Sequence, residues 1–377
     1  MDKQNVKKRI IVVGGGGVGT SIVRGLVKAL DPSKHELTLI APRPQFAYLP
    51  TALRVLVDKR TSIDRMFMPY DSIFGAFPGE LKLGCVSSID ENMSGKGGRV
   101  VLKTGEQIAY DVLAVATGSS WQGLLAFPDK QALYEEHIEL WRDKFDKAQN
   151  IVIVGGGPVG IEIAGEIKDV YPKKAVTIVH NTKYLMNDMY PQKFRVDLER
   201  RLRRRGVKII LDDAIEGEPR LDSNAPLKTR EGTSLTCDLL VTAYGAEPNT
   251  SLFKFILPTP LGNKNYVEVD RTLQVRAHQS IFAAGDIVNI HEGKQFTKTS
   301  AHAKVVVKNI ISYLKNEPSM KGYKPSNEII AVSNGKKGGA TYLGVLWGIC
   351  FGNTFTKIAK SWEMAGVRRN NLGLDIP

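Results

Sequence analysis

The sequence predicts an α/β chain: two Rossmann-like dinucleotide-binding units followed by a small C-terminal segment. Three observations predict it. Ile10-Ile11-Val12-Val13 runs into Gly14, Gly16 and Gly19 and then into a helical pattern. Ile151-Val152-Ile153-Val154 runs into Gly155, Gly157 and Gly160 in the same way. After each turn the same order of elements returns: helix, strand, hairpin, final strand, small-residue turn. In a strand–G-x-G-x-x-G–helix unit the first glycine permits the tight turn and the second lets backbone approach a pyrophosphate. The third lets the helix close on its strand. The unpaired N–H groups at the helix start then face the phosphates. One such turn is a weak signal; two in full context predict two bound dinucleotides.

The elements follow in order. Val18 to Leu30 reads as a helix stopped by Asp31-Pro32, and Leu37 to Ile40 as the second buried strand. Residues 42–80 read as loop and helix with scattered prolines. Arg99 to Tyr110 alternates around Thr104-Gly105, a hairpin signal. Asp111 to Val115 is an apolar strand ending at Ala116-Thr117-Gly118. In the second unit a helix extends to about Tyr171, and Val176 to Val179 forms a strand. A basic amphipathic helix (Gln192 to Arg205) and the strand Val207 to Leu211 follow. A hairpin around Glu231-Gly232 leads to the strand Asp238 to Thr242, which ends at Gly245. Ser280 to Asp286 is a strand with no third glycine turn ahead of it, so it must join an existing sheet. Residues 299–315 read as helix, and Tyr323 onward as a distinct C-terminal segment.

Composition bounds the function. At 377 residues two or three domains are expected, and 42% hydrophobic with 24% charged residues describes a soluble globular protein. Cys85, Cys237 and Cys350 are far apart, which excludes a disulfide scaffold, a zinc knuckle and a C-x-x-C redox pair; no metal-ligand spacing is present. A reducing, cytoplasmic setting is expected. The first strand starts by about Arg9, leaving no room for a signal peptide, and Asp2 rules out N-myristoylation. The net charge of +13 favours anionic partners: phosphorylated cofactors, an acidic lipid surface or nucleic acid. The densest run, Arg200 to Arg205, reads as the solvated last turn of a helix before Gly206. Its alternative reading is a lipid- or nucleic-acid-binding patch.

The order of these motifs resembles the two-dinucleotide flavoprotein reductases of glutathione-reductase-like architecture over roughly residues 9–310. The residues that carry it are the two glycine turns, Ala116-Thr117-Gly118, the turn from Gly245 to Asn249, and Ala284-Gly285-Asp286. Within that group the chain is similar to the apoptosis-inducing-factor-like and ferroptosis-suppressor-like branch. That likeness rests on Tyr48 to Arg54, on Val159-Gly160-Ile161-Glu162 with Ala164-Gly165-Glu166, on Val176 to His180, and on a basic, aromatic C-terminus. The resemblance implies FAD on the first turn and NADH or NADPH on the second. It also implies the division 1–119 and 247–325 for FAD, 120–246 for NAD(P)H and 326–377 for the C-terminal segment. The cofactor contacts it implies are Gly14, Gly15, Gly16, Gly17, Val18, Gly19, Arg54, Val86, Ala116, Thr117, Gly118, Gly155, Gly157, Gly160, Glu162, His180, Gly245, Gly285 and Asp286. Asp286 is placed on the flavin's ribityl chain. The chain departs from the pattern where second strands usually end in an acid that binds ribose hydroxyls. Here they end at Ala41-Pro42-Arg43 and at His180, and Lys183 nearby leaves NADPH open.

The resemblance further puts Glu162 near the nicotinamide and flavin rings, holding a carboxamide or relaying a proton. His302, near the start of a helix, would offer positive charge to reduced flavin or stand on the helix surface. Without a cysteine pair, electrons must leave to a diffusible acceptor, with a quinone foremost. Tyr342 to Phe351 is apolar but far short of the ~20 residues that span a bilayer. Lys357, Lys360, Arg368 and Arg369 follow, interleaved with Phe355, Ile358, Trp362 and Met364, an interfacial pattern suited to an anionic membrane. The plainer expectation is a segment packed on the FAD domain. The functional expectation is an FAD-dependent NAD(P)H oxidoreductase reducing a quinone. The alternative is a low-turnover redox sensor that binds nucleic acid or other anionic partners.

Overall fold

The computed structural model describes residues 6–217, 227–317, 320–346 and 348–356. The first apolar run forms β1 (Lys8–Val13), and α1 (Gly17–Leu26) leads to β2 (His35–Ala41), which lies parallel to β1 with Val12 opposite Leu39. After α2 (Ala52–Val57), β3 (Glu80–Leu83) adds to the outer side of β2. β4 (Val86–Glu91), β5 (Gly98–Leu102) and β6 (Gln107–Tyr110) make an antiparallel meander, with the expected Thr104-Gly105 turn between its last two strands. β7 (Val112–Val115) then pairs with β1 on the side away from β2. Strands buried on both faces need apolar side chains in both directions, which is why these runs do not alternate.

α3 (Gln131–Lys147) carries the chain into the second unit. The sequence reading leaves this helix unassigned, although Tyr134, Ile138, Trp141 and Phe145 recur at helical spacing and are all buried. β8 (Asn150–Val154), α4 (Pro158–Val170), β9 (Ala175–Val179), α5 (Gln192–Arg204), β10 (Val207–Ile210) and β11 (Leu239–Thr242) follow. Their sheet is wholly parallel, in the order β10-β9-β8-β11. The arginine run closes α5 and is engaged within the chain: Arg200 and Arg201 with Asp197, Arg203 with Glu199, Arg205 with Asp169. The run thus forms the end of α5, as the plainer reading expects, with Arg204 exposed.

The strand without a glycine turn returns to the first sheet. β12 (Gln274–Val275) and β13 (His278–Ala283) complete the order β12-β13-β7-β1-β2-β3, with Phe282 opposite Ala114. The chain crosses between the units twice at one place. Ser119–Ser120 pairs antiparallel with Glu247–Pro248, and the Thr117 hydroxyl donates to the Asn249 carbonyl at 2.6 Å. α6 (Thr299–Leu314) then packs on α1, where Gly25 leaves room for Val307.

The C-terminal segment departs from expectation. β14 (Ile329–Ser333), β15 (Gly339–Leu343) and β16 (Ile349–Phe351) form an antiparallel sheet, followed by α7 (Asn353–Thr356). The sheet packs on the second unit and not on the sheet of the first: Gly165 of α4 meets Asn334 and Gly335, and Tyr342 packs against Tyr190 and Phe194. A glycine at 165 lets two backbones touch, and Tyr342 packs partly buried on this core, while Leu346 and Phe355 farther along are exposed. Trp347, Lys357, Ile358, Lys360, Trp362, Met364, Arg368 and Arg369 lie outside the described residues. Among the described residues no helix is long and apolar enough to cross a membrane.

Candidate active site

The two glycine turns have the same physical design. Gly14 has φ +106° and Gly155 φ +119°, values that disfavour any side chain, and a Cβ on either would overlap the carbonyl of Ala116 or Ala243. A Cβ at Gly19 or Gly160 would run into the carbonyl of Gly14 or Gly155. These glycines let helix, turn and strand touch. Gly16 and Gly157 differ in kind: both have ordinary extended backbone, and a Cβ there would meet nothing within 4 Å. Each stands at a helix start whose first amides have no intrahelical acceptor. That open, donor-lined front is the cradle a pyrophosphate needs, so both turns fit a dinucleotide. Behind the first turn, Tyr70 donates to the Gly15 carbonyl and the Phe296 ring backs Gly17.

The tertiary structure brings several predicted cofactor residues together. Ala116 abuts Gly14, and Val18 packs on Gly285. Asp286 accepts a 2.8 Å hydrogen bond from the Ser119 hydroxyl at the crossing between the units. Gly118 and Gly245 have positive φ and open surroundings. Val86 heads β4, half-buried and opposite Leu102. A cavity of about 1470 Å³ runs from Gly155, Gly156, Gly157 and Pro158 past His180 and Gly245 to Ser119 and Asp286. It joins the second glycine turn to the Gly285-Asp286 turn of the first unit.

Both histidines singled out in the sequence serve as acceptors for glycine amides. His180 Nδ1 accepts from Gly156 N at 3.1 Å and its Nε2 meets the Thr182 hydroxyl at 2.9 Å; burial lowers its pKa. His302 does not stand on the helix surface. It is 2% exposed, and its Nδ1 accepts from Gly285 N at 3.0 Å. An amide can only donate, so the ring proton sits on Nε2 and points to Glu292 at 2.7 Å. His302 therefore braces the turn that carries Asp286.

Glu292 is a residue the sequence reading passed over, and nothing in its local pattern marks it. It is buried and takes hydrogen bonds from His302 and Tyr323, with the Lys298 ammonium 3.3 Å away. Lys298 also bridges to Glu328 in the segment before β14. Burial alone would raise the Glu292 pKa; the donors and the ammonium outweigh it and hold the carboxyl at about 2. Its folded value is below the ordinary 4.5, so its stabilisation is present above pH ~4.5 and is lost as the pH falls toward 2. The Glu292→Gln variant is expected to be less stable at neutral pH by about 2–3 kcal/mol and to lose less stability over that acid window. Denaturant unfolding at pH 7, 4 and 3 checks this; parallel curves for both proteins would contradict it.

Glu162 and Glu166 lie one turn apart on α4, and neither is among the residues lining the cavity. Glu162 Oε1 accepts from the Ser333 amide at 2.9 Å and its hydroxyl at 3.1 Å, which ties α4 to β14. Arg54, expected among the cofactor contacts, lies across Glu166 with contacts of 2.9–3.3 Å. The pair joins α2 of the first unit to α4 of the second. Burial raises the Glu166 pKa even with the guanidinium beside it.

With this geometry in hand, the comparisons with known proteins agree with one another. The sequence pattern of the pyridine nucleotide-disulphide oxidoreductases matches residues 8–307. The chain is similar to the FAD-dependent oxidoreductase FVFD30 of Flammulina velutipes, with 42% identity over 82% of this chain and 96% of that one. It is similar to ferroptosis suppressor protein 1 of Taeniopygia guttata, with 30% identity over 94% of this chain and 93% of that one. Among solved structures it resembles the sulfide:quinone oxidoreductase of Aquifex aeolicus, with a TM-score of 0.77 over 97% of this chain and 91% of that one. At 16% identity that likeness concerns the fold.

Proposed function

The chain belongs to the pyridine nucleotide-disulphide oxidoreductase family, whose members use FAD and NAD(P)H, and on that premise we propose that it is an NAD(P)H:quinone oxidoreductase. The observation that carries the reading is the cavity joining the second glycine turn to Asp286. The first turn, with Gly14, Gly16 and Gly19, would hold the FAD pyrophosphate, and Asp286 the ribityl hydroxyls. Gly155, Gly157 and Gly160 would hold the nicotinamide nucleotide. When bound, FAD supplies the ability to accept a hydride and release electrons singly or in pairs. The protein's part is to orient the two dinucleotides and to shape the exit. Arg54–Glu166 and Glu162–Ser333 fix α4 against α2 and β14, so the second turn is held in register with the first unit.

The acceptor follows from what stands near the exit. Cys85, Cys237 and Cys350 are free thiols on three separate parts of the fold, so no pair stands ready to carry electrons to a disulfide. The cavity wall includes Trp121, Met189, Tyr190 and Tyr266, flat or pliable apolar surfaces that suit a quinone ring. The test is anaerobic bleaching of the yellow protein by NADH or NADPH, then re-oxidation by a panel of quinones, glutathione disulfide and oxygen. Fastest re-oxidation by a quinone is expected. A colourless protein that FAD cannot reconstitute, or preferred turnover of the disulfide, would overturn the reading.

Asp286→Ala is expected to weaken FAD retention by ~1.5–3 kcal/mol, because a ribityl hydroxyl loses a charged acceptor. Flavin released on gel filtration, compared with the parent protein, measures it; unchanged retention would remove Asp286 from the FAD site.

A further inference from the structure

The cavity has a charged wall beyond the glycine turn. β9 lies between β8 and β10, with Val179 opposite Val154 and Ile210, so the chain leaving β9 crosses the cavity beside the glycine turn. With a pyrophosphate on that turn, the adenosine ribose lies over the end of β9. An acid there would bind the two ribose hydroxyls and repel a phosphate. The five residues that follow β9 are His180, Asn181, Thr182, Lys183 and Tyr184, none of them acidic.

Two cations occupy this wall. Lys183 is exposed above the Tyr184 ring, and Arg230 reaches the cavity from the neighbouring hairpin. Neither has a carboxylate partner among the described residues. Arg195, the third cation there, is engaged by the carbonyls of Tyr184, Leu185 and Met186. Four acids also line the cavity; Asp286 and Glu292 stand at its first-unit end, and Asp188 and Asp213 near this wall. Asp213 is buried, and its Oδ1 accepts the amides of Ala214 at 2.8 Å and Glu231 at 3.2 Å, so it faces backbone. Asp188 comes after the turn that Arg195 holds.

We infer that this wall is a subsite for the 2′-phosphate of NADPH, with Lys183 and Arg230 as its cations, and that the chain prefers NADPH to NADH. The phosphate adds close to two negative charges and three acceptor oxygens, which suit an ammonium and a guanidinium. The inference rests on the reading that the second turn holds the nicotinamide nucleotide.

The test uses ADP-ribose and 2′-phospho-ADP-ribose, which differ only in that phosphate, binding to the flavin-loaded protein by calorimetry. The phosphorylated ligand is expected to bind at least tenfold more tightly. That ratio is expected to fall to within about twofold of unity in Lys183→Ala/Arg230→Ala and to invert in Lys183→Glu. Equal binding of both ligands by the parent protein would overturn the subsite while leaving the second turn as the nucleotide site. A ratio unmoved by the variants would also overturn the assignment to these residues. Binding of neither ligand would overturn the dinucleotide reading of the second turn, and the subsite with it.

Discussion

Gly157→Val is expected to fold, to keep its flavin and to lose reduction by NAD(P)H by about 100-fold or more, the equivalent of ~2.7 kcal/mol of binding. The reasoning is steric. Gly157 has extended backbone at φ −76°, and a Cβ there would meet nothing within 4 Å, so the protein itself tolerates a side chain. The branched side chain would stand where the pyrophosphate meets the helix start. Gly16→Val is the matching experiment on the first turn, where the same open geometry predicts loss of flavin. Gly160→Ala is the control of opposite kind: its Cβ would overlap the Gly155 carbonyl, so the second unit should destabilise outright. Flavin absorbance per chain, anaerobic reduction rates and melting curves separate the three outcomes. If Gly157→Val released flavin while Gly16→Val retained it, the two cofactor assignments would be reversed.

The second large effect is expected at Arg54. Replacing it with methionine should cost about 3–5 kcal/mol of stability, because Glu166 keeps a buried charge without a partner. The Glu166 side chain is 4% exposed, against 20% for Arg54. Relief is available by protonation. Burial already raises the Glu166 pKa, and removing the guanidinium raises it further. A carboxyl whose folded pKa lies above its unfolded value favours folding at low pH and loses that advantage as the pH rises through the folded value. The deficit of Arg54→Met should therefore shrink at pH 5 relative to pH 8, and Arg54→Met/Glu166→Leu should recover much of it. Chemical denaturation at the two pH values measures this. Selective loss of flavin at unchanged stability would return Arg54 to a cofactor contact.

Much of this fold is written in local pattern. Runs such as Val112 to Val115 are buried on both faces and show it as unbroken apolar sequence. Both glycine turns combine two kinds of requirement, backbone contact and open front, and each kind demands glycine. Helix α3 is legible too, through the helical spacing of Tyr134, Ile138, Trp141 and Phe145. The C-terminal sheet is harder to read. Its strands are short, and what seats them is Gly165, a residue on a helix more than 150 positions earlier.

The sequence by itself determined the two dinucleotide turns, the repeated order of elements, the absence of a cysteine pair and the return of the Gly285-Asp286 strand to an existing sheet. Those features are set by neighbours along the chain, through the steric freedom of glycine and the burial pattern of strands. Only the tertiary structure decided the partners of the charged side chains. Arg54 meets Glu166 across 112 residues, Glu162 meets Ser333 across 171, and His302 lies between Gly285 and Glu292 in the interior. A buried charge needs a partner wherever the fold supplies one, and that choice depends on which surfaces pack together, which no local pattern records.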